Sequence, residues 1–166
     1  MVTRSSSRRG QGCVLKVIIR GASATDTARL RALLSEWLKW APEKGRTDSI
    51  RRALRRKEIL VAEASSEVIG FIHFVLHEDV IDGGPNAFIT AFYVSPAYRG
   101  KGVGSRLLLA AIADALKRGA VGVETSTIHE SAKIFYERRH FKQTKGDIAE
   151  IFLELDMDEF RLGLSK

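Results

Sequence analysis

The sequence predicts a single α/β domain, and three observations carry that expectation. Its 166 residues give one domain room for a full core. Apolar, β-branched runs of strand length alternate with segments of helical period. One run, residues 88–94, is apolar on both faces and leads through a glycine-rich loop into a helix, the pattern of a buried central strand.

Taken in order, residues 14–19 are apolar and β-branched and read as a first strand. Ser23-Ala-Thr-Asp26 has the form of a capping box, with an acid three residues after the cap. Leu30, Leu33, Leu34, Trp37 and Leu38 then recur at helical spacing as one apolar stripe. Trp37 and Trp40 are expected as core or cleft wall. Pro42 and Gly45 break this helix, and Thr47 or Asp48 opens a short basic one reaching about Arg56. Strands are expected at 59–64 and 68–77 around a Ser65-Ser66 turn, and Asp82-Gly-Gly-Pro-Asn86 reads as a turn before 88–94. A helix from Gly102 to Lys117 ends at Gly119 as a C-cap would. A short strand at 121–125, a helix at 131–139 and a hairpin of 141–144 with 148–156 around Lys145-Gly-Asp147 complete the order. In the last strand Ala149, Ile151, Leu153 and Leu155 share a face. No internal repeat is visible.

A hydrophobic content of 45% with 28% charged residues fits a soluble globular chain. No apolar run approaches the ~20 residues that span a bilayer. Residues 1–12 are Ser-, Arg- and Gly-rich without an apolar core of a secretory signal, so a disordered basic tail is expected there. The domain is expected over 13–158, with a C-terminal tail at 159–166. The single Cys13 cannot form an internal disulfide, which fits a reducing, cytoplasmic setting. The net charge of +7 is concentrated in the first twenty residues and between Lys44 and Lys57, while residues 147–159 are acidic. Such polarity can steer an acidic ligand. Nucleic acid is the other reading of a basic patch, but Arg51, Arg52, Arg55, Arg56 and Lys57 lack interleaved aromatics or a reader motif.

The most informative stretch is 94–105, Val-Ser-Pro-Ala-Tyr-Arg-Gly-Lys-Gly-Val-Gly-Ser. It is neither a Walker A loop nor a dinucleotide fingerprint, because Gly100, Gly102 and Gly104 are spaced G-x-G-x-G. A glycine loop opening a helix still offers unpaired N–H groups and the positive end of a dipole, which suits phosphate. Arg99 stands before it in the pattern Arg-x-x-Gly-x-Gly. Downstream, Ala132-x-x-Phe135-Tyr136-Glu137-Arg138 leads to Phe141.

These two motifs resemble those of the GCN5-related N-acetyltransferase (GNAT) superfamily. Its pyrophosphate signature Gln/Arg-x-x-Gly-x-Gly/Ala is met by Arg99, Gly102 and Gly104, and its later signature by Ala132, Phe135, Tyr136, Glu137 and Phe141. Two departures stand out: His129 where Asn is usual, and His140 where Gly is usual. The resemblance implies a mixed, mostly antiparallel central sheet of about seven strands flanked by about four helices. It also implies acetyl-CoA as cosubstrate, with no metal, and acetyl transfer to a primary amine of a small molecule or protein in a ternary complex.

By that resemblance Phe92, Tyr93 and Val94 run along the pantetheine arm. Arg99, Gly100, Lys101, Gly102, Val103, Gly104 and Ser105 surround the pyrophosphate, and His129 and Phe135 contact the cofactor from the later motif. The Val94 N–H is the candidate oxyanion donor. Tyr136 is the candidate general acid, since a phenol stays protonated at neutral pH and can protonate a departing thiolate. No general base is assigned: the strand 88–94 carries no carboxylate, and Glu63, Glu78, Asp79, Glu124, Glu150, His73, His77 and a chain of waters all remain open. His140 in glycine's place is expected at a helix end that takes either a left-handed or an altered turn. The histidines have no metal-ligand spacing. The acceptor is expected against residues 37–57 and 78–86, where the arginines would favour an acidic amine. A non-catalytic CoA sensor or interaction module, a nucleic-acid binder and a homodimer are the alternatives kept alongside.

Overall fold

The computed structural model describes residues 16–80, 83–145 and 151–156. These contain β1 (Val17–Gly21), α1 (Thr27–Trp37), α2 (Arg46–Arg55), β2 (Ile59–Ala64), β3 (Glu67–Asp79), β4 (Gly84–Val94), α3 (Val103–Lys117), β5 (Gly122–Thr127), α4 (Glu130–Glu137), β6 (Lys142–Lys145) and β7 (Ile151–Asp156). The strands form one sheet in the order β1-β2-β3-β4-β5-β7-β6. Neighbours pair antiparallel except β4 and β5, which α3 joins by a crossover and which run parallel. This is the mixed, mostly antiparallel seven-strand sheet with four helices that the sequence led us to expect.

Alternation along β3 sends successive side chains to opposite faces, so the sheet has two cores. On one face Ile72, Phe74, Ala87, Ile89, Val123 and Leu153 pack against Leu107, Leu108, Ala111 and Ile112 of α3. On the other, Val61, Phe71 and Tyr93 pack against Leu30 and Leu33 of α1 and Ile50 and Ala53 of α2. The α1 stripe was thus legible as buried. Trp40 was not: it is 83% exposed, because α1 ends at Trp37 and the chain has left the core by then.

Several boundaries move. The first strand runs Val17–Gly21 rather than 14–19, with Val14 and Leu15 outside the described residues. A 3-10 turn at Ala24–Asp26 precedes α1, and α2 begins at Arg46, capped by Gly45 at φ +76°. The Pro85-Asn86 segment lies in β4, not in a turn. A proline near a strand start withholds only an N–H, and Asn86 is buried with Nδ2 donating to Glu124 Oε1 at 3.1 Å. Ser65 and Ser66 both take positive φ, as a tight hairpin turn requires. Gly119, at φ +91°, closes α3: its N–H donates to Leu116 O and that of Ala120 to Ala115 O. The tails 1–12 and 159–166, Cys13, Asp82 and the turn at 146–150 with Ala149 and Glu150 lie outside the described residues. Among those described, no helix is long and apolar enough to cross a membrane.

The capping box does more than cap. Asp26 accepts from the Ser23 N–H at 2.7 Å and its hydroxyl at 3.0 Å, and takes both terminal nitrogens of Arg20 at 2.8 and 2.9 Å. The Arg20 Nε donates to Glu63 at 2.8 Å, so one guanidinium ties β1, β2 and the start of α1 together. The Arg20 guanidinium chiefly, with the Ser23 groups, holds the Asp26 carboxyl at about 2. A carboxyl lowered in the folded state stabilises above its ordinary range and loses that contribution as pH falls from about 4 toward 2. Asp26→Asn is therefore expected to cost about 1 kcal/mol at neutral pH. In chemical denaturation, the gap from wild type should shrink as the pH is lowered through this window.

Candidate active site

The site begins with a mismatch between strands. In β4, Ile89 pairs with Phe74 of β3 and Ala91 with His73, leaving Thr90 as an extra, bulged residue. The parallel pairing of β4 with β5 runs from Asn86↔Gly122 to Ile89↔Thr125 and stops there. From the bulge onward β4 follows β3 and leaves β5, opening a cleft of about 570 Å³ between them. Its walls are Thr90 to Val94 on one side and Thr125, Ser126 and Thr127 on the other.

The backbone of β4 faces this gap. The Ser95 N–H donates to Ile69 O at 2.9 Å, so the amides of Val94 and Phe92, at alternate positions, point away from β3 and into the cleft. Val94 O accepts from Arg99 Nε at 2.8 Å, and the Arg99 guanidinium lies 5.2 Å from the Tyr93 ring centre. The cleft then meets the start of α3. Gly100 and Gly102 stand at φ +70° and +77°, and both line the cleft with Gly104 and Ser105. The first-turn amides of α3 have no carbonyl partner within the helix and are presented there. Of the remaining loop residues, Lys101 donates to Ala97 O and lies over Tyr98, while the Val103 side chain is buried in the core. Neither side chain lines the cleft.

One cation escaped the sequence reading. Arg139 donates to Ser105 Oγ and to Phe135 O, both at 2.5 Å, with its guanidinium 3.7 Å from the Phe135 ring centre. It thus leans from the end of α4 onto the first turn of α3. Its position in the later motif is one that accepts any residue, so nothing in the sequence singled it out. Desolvation, then Arg138, lowers its pKa from an already very basic value.

Tyr136 is 5% exposed, sits among Phe92, Phe135 and Phe141, and lines the cleft. Burial pushes its phenol up to about 12 against a smaller opposing pull from a hydrogen bond with Thr125. It is therefore a proton donor throughout the neutral range. His129 caps α4 without a side-chain cap bond and lines the cleft beside Phe135. His140 takes φ +70° just past α4, the left-handed of the two turns expected of the residue in glycine's place.

On the α1/α2 face, Trp37 stacks on Tyr93 at 5.8 Å and 17°, and the Tyr93 hydroxyl donates to Glu36 Oε1 at 2.9 Å. Arg51, Arg52, Arg55, Arg56 and Lys57 do not line the cleft. The open base candidates separate by position. Glu63 is held by Arg20, and Glu78 is exposed on β3. His77, Asp79 and Glu124 bring one ligand atom each within 4.8 Å of one another. His73 lies beside the bulge.

The sequence matches the model of the acetyltransferase (GNAT) family over residues 28–141. Similar solved folds include PaiA N-acetyltransferase from Thermoplasma acidophilum in complex with coenzyme A, at 22% identity and TM-score 0.74, covering 86% of this chain and 99% of that one. Arabidopsis thaliana Naa50 in complex with the bisubstrate analogue CoA-Ac-MVNAL matches at 18% and 0.70, over 84% and 98%. AAC(6')-Iy in complex with the bisubstrate analogue CoA-S-monomethyl-acetylneamine matches at 21% and 0.72, over 80% and 95%. Among curated proteins, no significant sequence match was found.

Proposed function

The chain belongs to the acetyltransferase (GNAT) family, and from that premise we propose that it is an N-acetyltransferase, moving the acetyl group of acetyl-CoA to a primary amine of a small molecule or a protein by direct attack in a ternary complex. The observation that carries the proposal is the parting of β4 from β5 beside the glycine-started α3, with the buried Tyr136 lining the opening.

In this reading the α3 first-turn amides and the glycines before them bind pyrophosphate, with Arg99 and Arg139 adding positive charge. The amides of Phe92 and Val94 pair with the pantetheine amides as β5 would have done. Val94 N–H donates to the thioester oxygen as it becomes an oxyanion, a contribution of roughly 3 kcal/mol in comparable sites. Tyr136 protonates the sulfur as the C–S bond breaks. The acceptor approaches from the α1/α2 face, where Trp37 closes the cleft wall.

The test is release of free thiol from acetyl-CoA with a panel of amines: the peptide Met-Val-Asn-Ala-Leu, neamine, spermidine and glutamate. Thiol release that depends on one amine, with the N-acetyl product seen by mass spectrometry, is the expected result. Tight CoA binding with no amine-dependent release would instead support a CoA sensor.

A further inference from the structure

Glu58, His73 and Thr90 lie in a row that runs from the residue before β2 through β3 to β4. Thr90 Oγ1 lies 2.5 Å from His73 Nδ1, and His73 Nε2 lies 3.5 Å from Glu58 Oε2. Each member is fixed by a separate structural device. Thr90 is the bulged residue of β4, exposed on the cleft wall at the point where the strands part. His73 is held in β3 between its register partners Ile59 and Ala91. Glu58 is buried, at 8% exposure, just after Lys57 at φ +56°. Its N–H donates to Ala53 O, and its own O accepts from the Phe74 N–H.

We propose that Thr90 and His73, oriented by Glu58, are the path by which the acceptor amine loses its proton, supplying the general base that no carboxylate on β4 provides. This rests on the acetyltransferase reading above. The path uses the imidazole tautomer with its hydrogen on Nε2, the buried ring nitrogen that faces Glu58 Oε2 at 3.5 Å without a hydrogen bond in the resting geometry, which leaves the Nδ1 lone pair to accept from the Thr90 hydroxyl. As the amine nitrogen bonds to the thioester carbon and the C–S bond breaks, Thr90 Oγ1 takes a proton from the nitrogen and passes its own to His73 Nδ1. The sulfur takes the Tyr136 proton, so charge and protons balance. Thr90 would be the catalytic residue of the path; His73 and Glu58 act through it.

The surroundings favour a neutral imidazole in the resting state. His73 borders a cavity of about 130 Å³ lined by Leu30, Leu34, Ile50, Ala53 and Phe71. Desolvation there lowers its pKa, outweighing the opposing pull of Glu58. The charged groups facing the pair are Glu58 itself, Arg56 at 4.0 Å from Glu58, and Arg46, whose guanidinium is bound to Ser35 Oγ and the carbonyls of Ala41 and Pro42. Thr90 and Tyr136 stand on opposite sides of the opening, Thr90 toward the His73 face and Tyr136 toward the α3 face, so proton removal and proton delivery do not compete.

The experiment measures kcat against pH with acetyl-CoA and the fastest amine of the panel, for wild type, Thr90→Val, Thr90→Ser, His73→Gln and Glu58→Gln. Thr90→Val and His73→Gln are expected to lose about 100-fold in kcat while Thr90→Ser stays near wild type. Wild type should show an acid limb below the ordinary imidazole range. Glu58→Gln should move that limb to lower pH, since removing the anion disfavours the imidazolium, and His73→Gln should abolish it. Independently, nitrogen NMR of the free protein should show His73 protonated at Nε2 and bare at Nδ1; the opposite tautomer overturns the path. Wild-type kcat in Thr90→Val, or an acid limb unmoved by Glu58→Gln, does the same while leaving the acetyltransferase reading intact. No thiol release by wild type with any amine overturns both. If His73→Gln fails to fold, the Thr90 pair and the Glu58→Gln limb decide.

Discussion

Tyr136→Phe is expected to lower kcat by about 100-fold with little change in acetyl-CoA affinity. The ring stays, and with it the contacts to Phe92, Phe135 and Phe141 at centroid distances of 6.4, 5.4 and 5.1 Å. Only the hydroxyl is lost, and in the proposed mechanism that hydroxyl protonates the departing sulfur. A 100-fold loss corresponds to about 2.7 kcal/mol of transition-state stabilisation. The phenol held at about 12 adds a second signature. A group protonated to such high pH puts no alkaline limb on the rate anywhere near neutrality, so loss of the hydroxyl should scale the whole profile down without shifting it. Calorimetric titration of acetyl-CoA and steady-state kinetics separate the two effects. A wild-type kcat in the variant would remove Tyr136 from the chemistry and leave it as core.

How much of this was readable beforehand depended on whether the cause was local. The glycine loop, Tyr136 and the left-handed turn at His140 follow from a few adjacent residues, and the sequence pointed to each. The apolar run 88–94 announced a central strand, and β4 is flanked by β3 and β5. Hidden features all depend on residues far apart in the chain. The bulge at Thr90 arises from register between β3 and β4, and Thr90 looks like any other strand threonine until it is paired. Glu58 and His73 are fifteen positions apart and meet only because Ile59 pairs with His73. Arg139 is one of two adjacent arginines, and only the packing of α4 against α3 decides which reaches Ser105. The same limit explains Trp40, whose hydrophobicity suggested burial while the end of α1 left it outside.

Gly102→Val is expected to weaken acetyl-CoA binding by at least about 30-fold, with the fold retained. The reason is conformational. Gly102 caps α3 at φ +77°, where a β-branched residue is an outlier and strain of about 1–3 kcal/mol arises. The chain can relieve it only by turning the peptide, which re-aims the first-turn amides that, in the proposed mode of binding, hold the pyrophosphate. Packing within the protein adds nothing to this: no atom stands within 4 Å of where a Cβ on Gly102 would project, so the expected loss comes from the backbone. Gly104 provides the control. Its φ is not in the left-handed region, and an added Cβ would meet Phe135 and Phe92 at 3.5 Å, ordinary contact distance. Gly104→Ala should therefore bind acetyl-CoA within a fewfold of wild type. Calorimetry on both variants distinguishes a backbone requirement at one position from a uniform need for small residues along the loop. Equal losses at Gly102 and Gly104 would mean that phosphate contact is set by side-chain volume and not by the left-handed turn that starts α3.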